Sequence, residues 1–232
     1  MASWFCSKAI GAEDRLPLRL NCSGECKASV AKIPVFDIGG VFVDWNPMYL
    51  FRKLFESEER AQWFQDNVCT LDWNLEFDAG HSYAEGVAKL ITRYPRYWRE
   101  IEAYNQRWIE MIHGFITGTI EVHDELIAAG VSTYAITNFS WEKWISVLGE
   151  WPFLEKFDGV VVSGLEGLVK PDPRIYRVFC ERFGLSPADC VFIDDNKANV
   201  VAAEVFGMSA LHFTSPAQLR SDLIGLGMPL KP

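Results

Sequence analysis

Four short stretches of this chain carry residues able to do chemistry together. In KIPVFDIGGVFVDW, Lys32 to Trp45, an apolar run ends in Asp37 and two glycines follow. YAITN ends in Thr137 and Asn138, VKPDP carries Lys170, and FIDDNKAN carries Asp194, Asp195 and Asn199. Carboxylates gathered in one place repel one another unless a cation sits between them, and an all-oxygen donor set selects Mg2+ over softer metals. A carboxylate free to attack, a hydroxyl and an amide able to donate to an oxyanion, and a lysine to offset growing negative charge suit nucleophilic displacement at an anionic centre. Phosphoryl transfer is the reaction class that fits this inventory.

The elements that must position these residues follow from hydrophobic pattern. Residues 33–37, 131–136 (VSTYAI), 159–162 (GVVV) and 190–194 (CVFID) are short apolar runs bounded by turn residues, which predicts strands buried on both faces. Helical stretches at 119–129, 140–149, 173–183 and 197–206 alternate with them, the order of a parallel sheet covered by helices. Ligands of such open sheets bind beyond the carboxyl ends of the strands. Asp37, Thr137 and Asn138, and Asp194 and Asp195 all fall there, with Lys170 in the loop after strand 159–162.

FRKLFESEERAQWFQ and SYAEGVAKLITRY space apolar residues by three and four, as amphipathic helices do. Residues 47–115 are therefore expected to form a small helical cap inserted after the first strand, over a core made of 33–46 and 116–232. Residues 1–32 have neither helical nor strand period and are expected to be a poorly ordered extension, dispensable for function.

VFDIGGV, YAITN, the lysine of VKPDP and FIDDNKAN, in that order at successive strand ends, resemble the four motifs of the haloacid dehalogenase superfamily of hydrolases. The likeness is greatest to its sugar phosphatases with a small helical cap, and covers nearly everything from Ile33 to about Phe213. It implies a Rossmann-like parallel sheet, and it implies that Asp37 attacks phosphorus to give an aspartyl-phosphate that water then hydrolyses. By the same resemblance Asp37 and the backbone carbonyl of Gly39 ligate Mg2+, with Asp195 as a direct ligand ahead of Asp194, and Asn199 hydrogen-bonds a ligand from the first turn of the following helix. Thr137 and Asn138 hold the transferring group, Lys170 neutralises it and orients Asp37, and the amides of Ile38 and Gly39 complete the anion cradle.

One position departs from that pattern. Many such phosphatases carry a second Asp two residues after the nucleophile as general acid and base, and here that residue is Gly39. Such a group typically contributes about 10² to 10⁴ in rate, so proton delivery is left to a sugar 1-phosphate leaving group that needs none or to a nearby water. A metal-independent 2-haloacid dehalogenase, in which the same Asp attacks carbon and expels halide, is the rival enzyme; a catalytically degenerate domain that binds a phosphorylated ligand is the rival without turnover. The paired acids of FIDDN favour metal and phosphate, and the retention of Asp37, Lys170 and the acidic pair weighs against degeneracy.

Within the insert, TLDWNLEFDAG (Thr70 to Gly80) offers Trp73 and Asn74 as substrate contacts, and Asp44 and Trp45 fall where insert meets core. Plainer readings stand beside these: packing for Trp73, and helix capping by Asn138 or Ser140. The aromatic run of Tyr94, Tyr97, Trp98 and Tyr104 reads as the insert's own core or a dimer face.

Composition bounds the partners. A formal charge of −9 over 232 residues repels nucleic acid and anionic lipid, leaving a small phosphorylated metabolite as the expected ligand of a monomer or homodimer. No apolar run approaches the roughly 20 residues that cross a bilayer, and cytoplasm is the expected location. Cys69, Cys180 and Cys190 lie in apolar or helical patterns and are expected to be free thiols acting as small hydrophobes. Cys6, Cys22 and Cys26 lack the second ligand pair of a zinc site, and the four histidines are scattered.

Overall fold

The computed structural model describes residues 32–231. The expectations for Cys6, Cys22, Cys26 and the 1–32 extension thus lie outside the described residues, Lys32 excepted.

The chain opens with β1 (Ile33–Phe36) and β2 (Val43–Trp45). Five helices follow, α1 (Met48–Leu54), α2 (Glu58–Asn67), α3 (Leu71–Asp78), α4 (Tyr83–Arg93) and α5 (Trp98–Gln106), before β3 (Ile112–Phe115). Helices and strands then alternate: α6 (Thr117–Ala128), β4 (Tyr134–Thr137), α7 (Trp141–Val147), β5 (Gly159–Val162), α8 (Ser163–Glu166), α9 (Pro173–Phe183), β6 (Cys190–Asp194), α10 (Lys197–Phe206), β7 (Ser209–His212) and α11 (Pro216–Gly225).

Strands β5, β4, β1, β6 and β7 lie side by side in that order, every pair parallel. Alternation along each strand feeds two cores. Val35, Ile136, Val161 and Phe192 pack with Ile175, Tyr176 and Phe179 of α9, whereas Phe36, Ala135, Val162 and Ile193 join a larger cluster that runs on into Phe51, Phe64 and Tyr104 of the helical insert. Pro34 is tolerated in the central strand because β1 begins to pair with β4 only at Val35, opposite Tyr134.

Three departures from the sequence pattern have local causes. Residues 112–115, expected to continue the helical insert, form β3 and pair antiparallel with β2 through Val43 opposite Phe115 and Asp44 opposite Gly114. Periodicity cannot separate so short an apolar run from buried helix. The strand expected at 131–136 starts instead at Tyr134, because Val131 closes α6: Gly130 is left-handed (φ 79°), and the Val131 N–H donates to Leu126 O (3.0 Å). Strand β7 and helix α11 were not among the expected elements; β7 is an edge strand of four half-buried residues with little apolar signal.

His123 of α6 is fully buried among Phe36, Phe42 and Phe157, with its Nε2 2.8 Å from Thr133 Oγ1. Burial pushes its pKa down to about 4. The folded state therefore holds fewer protons than the unfolded state between pH 6.5 and about 4, and stability falls as pH drops through that window. Urea unfolding across it should show a contribution approaching about 1.4 kcal/mol per pH unit, absent in His123→Phe; equal slopes in the two proteins refute the assignment.

Candidate active site

Asp37 follows the last residue of β1, and its N–H donates to Ile193 O of β6 (2.8 Å), which fixes it at the carboxyl edge of the sheet. Its Oδ1 accepts from the Ile38 N–H (2.7 Å) and its Oδ2 lies 2.8 Å from Lys170 Nζ. Lys170 is fully buried. Its ammonium also meets Asp194 Oδ2 at 2.7 Å and donates to Ile136 O of β4 (2.9 Å), so its three donors are matched by three acceptors from three neighbouring strands.

Asn138 secures the loop that delivers this lysine. Its Nδ2 donates to Lys170 O (3.0 Å), and its Oδ1 accepts from the Lys170 N–H (2.8 Å). Asn138 is thereby directed to Lys170, although it also borders the cavity described below. Asn199, in the first turn of α10, donates from Nδ2 to both oxygens of Asp194 (3.1 and 3.0 Å), and the Asn196 N–H adds a bond to Oδ1 (2.8 Å). Ser140 and Asn196 are the side-chain caps of α7 and α10, so neither Asn138 nor the acidic pair is spent on capping.

Asp195 is exposed and packs against Gly40, where an added Cβ would stand 2.2 Å from Asp195 Oδ2; the φ of +69° at Gly40 favours glycine independently. Asp37, Asp194 and Asp195 each offer an oxygen within 4.8 Å of the others. Burial raises the Asp37 pKa, Lys170 draws it back, and Asp194 and Asp195 push it up again, to about 8. Burial alone would lower the Lys170 pKa, but Asp194 and Asp37 raise it and keep the ammonium charged. One ammonium facing three carboxylates leaves negative charge uncompensated, and the hard oxygen donors fit a divalent cation that would balance it. Thr137, at the end of β4, is fully buried, and its Oγ1 has no hydrogen-bond partner among the described residues, which leaves the hydroxyl able to donate to a ligand.

A cavity opens from Gly39 and Asn138 toward the helical insert. Val43, Trp45, Trp108, Ile112, Phe139 and Trp151 form its apolar wall; Asn74, Asp78, Tyr83, Ser140 and Lys143 form the polar side. Asn74, expected as a substrate contact, lines it, and so does Trp45, which was expected only where insert meets core. Trp73 does not: it packs on Phe77 and Tyr104, with ring centroids at 4.7 and 5.0 Å. Asn74 stands about 100° further round the helix, and only it of the pair reaches the cavity. Ile38 is fully buried and its amide is already held by Asp37, leaving Gly39 as the loop residue at the cavity. Asp44 accepts from Tyr49 OH (3.0 and 2.9 Å). Tyr97 and Tyr104 belong to the core, while Trp98 is exposed.

Asp78, Tyr83, Trp108, Phe139, Lys143 and Trp151 were missed from sequence. Only Asp78 left a trace there, standing one helical turn after Asn74 and so on the same face. Asp78 Oδ2 accepts from Asn74 Nδ2 (2.9 Å), whose Oδ1 accepts from Tyr104 OH (2.8 Å). Burial raises the Asp78 pKa to about 7 against the lowering influence of Lys170. Lys143 Nζ donates to Asn105 O and Oδ1 (2.9 and 2.6 Å) and stands 4.6 Å from the Tyr83 ring centroid.

Comparison with known proteins is consistent with this geometry. The model of the haloacid dehalogenase-like hydrolases matches residues 32–207. A sesquiterpene phosphatase of Aspergillus oryzae is 37% identical over 187 residues, 79% of this chain and 90% of that protein. An (S)-2-haloacid dehalogenase of a Pseudomonas is 28% identical over 75% of this chain and 73% of its own length. Among solved structures, a haloacid dehalogenase family enzyme of Bacteroides thetaiotaomicron, in complex with magnesium and inorganic phosphate, superposes with a TM-score of 0.62 over 79% of this chain and 94% of its own, at 22% identity. With four motif regions at the strand ends and a family model spanning most of its length, the chain belongs to the haloacid dehalogenase-like hydrolases.

Proposed function

We propose that this protein is a Mg2+-dependent phosphatase of a small phosphomonoester, acting through an aspartyl-phosphate on Asp37. The observation that carries the reading is the Lys170 ammonium held between Asp37 and Asp194, with an Asp195 oxygen within 4.8 Å of an oxygen of each of those two carboxylates. Asp37, Asp195 and the Gly39 carbonyl would hold Mg2+, with Asp194 kept in place behind them by Lys170 and Asn199. Bound there, the ion supplies positive charge to the phosphoryl oxygens.

Asp37 attacks phosphorus and the bond to the leaving oxygen breaks. Water then attacks the aspartyl-phosphate, freeing phosphate and restoring the carboxylate. Lys170 holds the Asp37 oxygen in line and offsets charge, Thr137 Oγ1 donates to a phosphoryl oxygen, and Asn138 acts by positioning Lys170. The helical insert serves as the cap over this centre, with its Asn74 facing the substrate.

For the alcohol part, the cavity favours an apolar or aromatic group over a sugar. Trp45, Trp108, Phe139 and Trp151 wall it, and its polar groups are engaged with one another or with the fold: Asn74 with Asp78 and Tyr104, and Lys143 with Asn105. The name of the Aspergillus relative points the same way. No helix among the described residues is long and apolar enough to cross a membrane, and the buried free thiols Cys69, Cys180 and Cys190 suit the reducing cytoplasm.

The protein should release phosphate from p-nitrophenyl phosphate and from terpenoid or benzyl monophosphates only with Mg2+, and no chloride from 2-chloropropionate. Metal-independent chloride release without phosphatase activity establishes the dehalogenase instead, and phospho-ligand binding without turnover establishes the degenerate domain. Asp37→Asn should abolish turnover with circular dichroism unchanged; undiminished hydrolysis removes Asp37 as nucleophile.

Mg2+ should raise the melting temperature of the wild type by mass action and do so weakly or not at all in Asp195→Asn. Asp194→Asn should also cost about 3 kcal/mol in urea unfolding, because it strips a carboxylate from a buried ammonium. A larger loss of Mg2+ response at Asp194 than at Asp195, with stability preserved, reverses the two roles.

A further inference from the structure

We infer that Asp78, the last residue of α3 in the helical insert, is the general acid and base of this hydrolase, standing in for the acid that position 39 lacks. The inference rests on the phosphatase reading above. Asp78 borders the same cavity as Gly39 and Asn138, the loop residues next to Asp37 and Thr137. It feels the charge of Lys170, whose ammonium is 2.8 Å from Asp37. Its Oδ2 is fixed by Asn74, and Asn74 by Tyr104, so the carboxyl group is aimed by a chain of hydrogen bonds.

Position 39 itself has room: a Cβ there would meet nothing within 4 Å, and its φ is not left-handed. The fold therefore does not demand glycine at that point, and the open space is where the leaving group would pass between the nucleophile loop and α3. The other titratable or charged groups around Asp78 are Tyr83 of α4, Tyr104 of α5, Glu142 and Lys143 of α7, and Lys170. Burial drives both phenols above their ordinary pKa, and the Lys143 ammonium is committed to Asn105. Burial holds the Asp78 carboxyl near neutrality, where it can both give and take a proton.

The proton balance is as follows. Asp37 bonds to phosphorus, the phosphorus–oxygen bond to the alcohol breaks, and the departing oxygen takes the Asp78 proton and leaves as the neutral alcohol. Asp78, now a carboxylate, takes a proton from the water that attacks the aspartyl-phosphate. Phosphate departs, Asp37 regains its electron pair, and Asp78 is again protonated.

The test compares two esters of similar size. Benzyl phosphate leaves as an alkoxide that needs a proton, whereas p-nitrophenyl phosphate leaves as a phenolate already stable as an anion. In Asp78→Asn with Mg2+, kcat/KM for benzyl phosphate should fall by about 10² to 10⁴, far more than kcat/KM for p-nitrophenyl phosphate, and Asp78→Glu should restore part of the loss. Wild-type kcat/KM for benzyl phosphate should lose activity as pH rises through neutrality, relative to p-nitrophenyl phosphate, and this wild-type comparison stands even where the variant fails to fold. Equal losses on both esters, or matching wild-type pH profiles, overturn the role of Asp78 and leave the phosphatase intact. Hydrolysis of neither ester by the wild type overturns both.

Discussion

The structure depends on a buried ammonium ion. Taking Lys170 Nζ out of water costs several kcal/mol, on the order usual for buried ions, and the cost is offset only because Asp37, Asp194 and the Ile136 carbonyl converge on it at 2.7 to 2.9 Å. Those acceptors come from the ends of β1, β6 and β4, which are adjacent in the sheet. The lysine therefore ties the registers of three strands to one point, and a slip in any of them would leave a buried charge without its partner. Structural and chemical demands coincide there.

The same ion pair sets the limits of what the site can hold. Lys170 is used up by its three acceptors, and Asp195 stands beside two carboxylates that already share that single positive charge. An incoming phosphate dianion could not approach such a cluster unaided, which is why a divalent ion and an anionic substrate belong to one account. Asp194 has both oxygens occupied by Lys170, Asn199 and the Asn196 amide, whereas Asp195 lies exposed against Gly40. Neighbouring acids of identical type thus have different freedom to bind a cation.

Sequence carried four of the five strands of the sheet and the residues of this charged centre, because both follow from local rules. Short apolar runs ending in polar residues mark parallel strands, and functional side chains of such sheets gather at the carboxyl ends. What it did not carry depends on contacts between distant segments. Strand β3 is recognisable only by its partner β2, about 70 positions earlier. Asn138 was expected as a substrate ligand; it borders the cavity and is also a clasp on the Lys170 backbone, a second role visible only when the two loops meet. Trp73 and Asn74 are neighbours in α3, about 100° apart around the helix, and both touch Tyr104, but only Asn74 borders the cavity.

The helical insert then takes on more than substrate selection. On the proposed reading the sheet would supply the nucleophile, a fixed positive charge and the metal ligands, all on strand ends packed on both faces. With glycine at position 39, the loop after β1 carries no acid of its own to protonate a poor leaving group. If the proton comes from α3, the core and the insert must be together for the bond to break, and the insert's position becomes a condition of the chemical step. A nucleophile kept on the sheet and a proton kept on the insert would also guard against premature reaction: a phosphate ester bound to the core alone meets Asp37 but finds no acid for its alcohol.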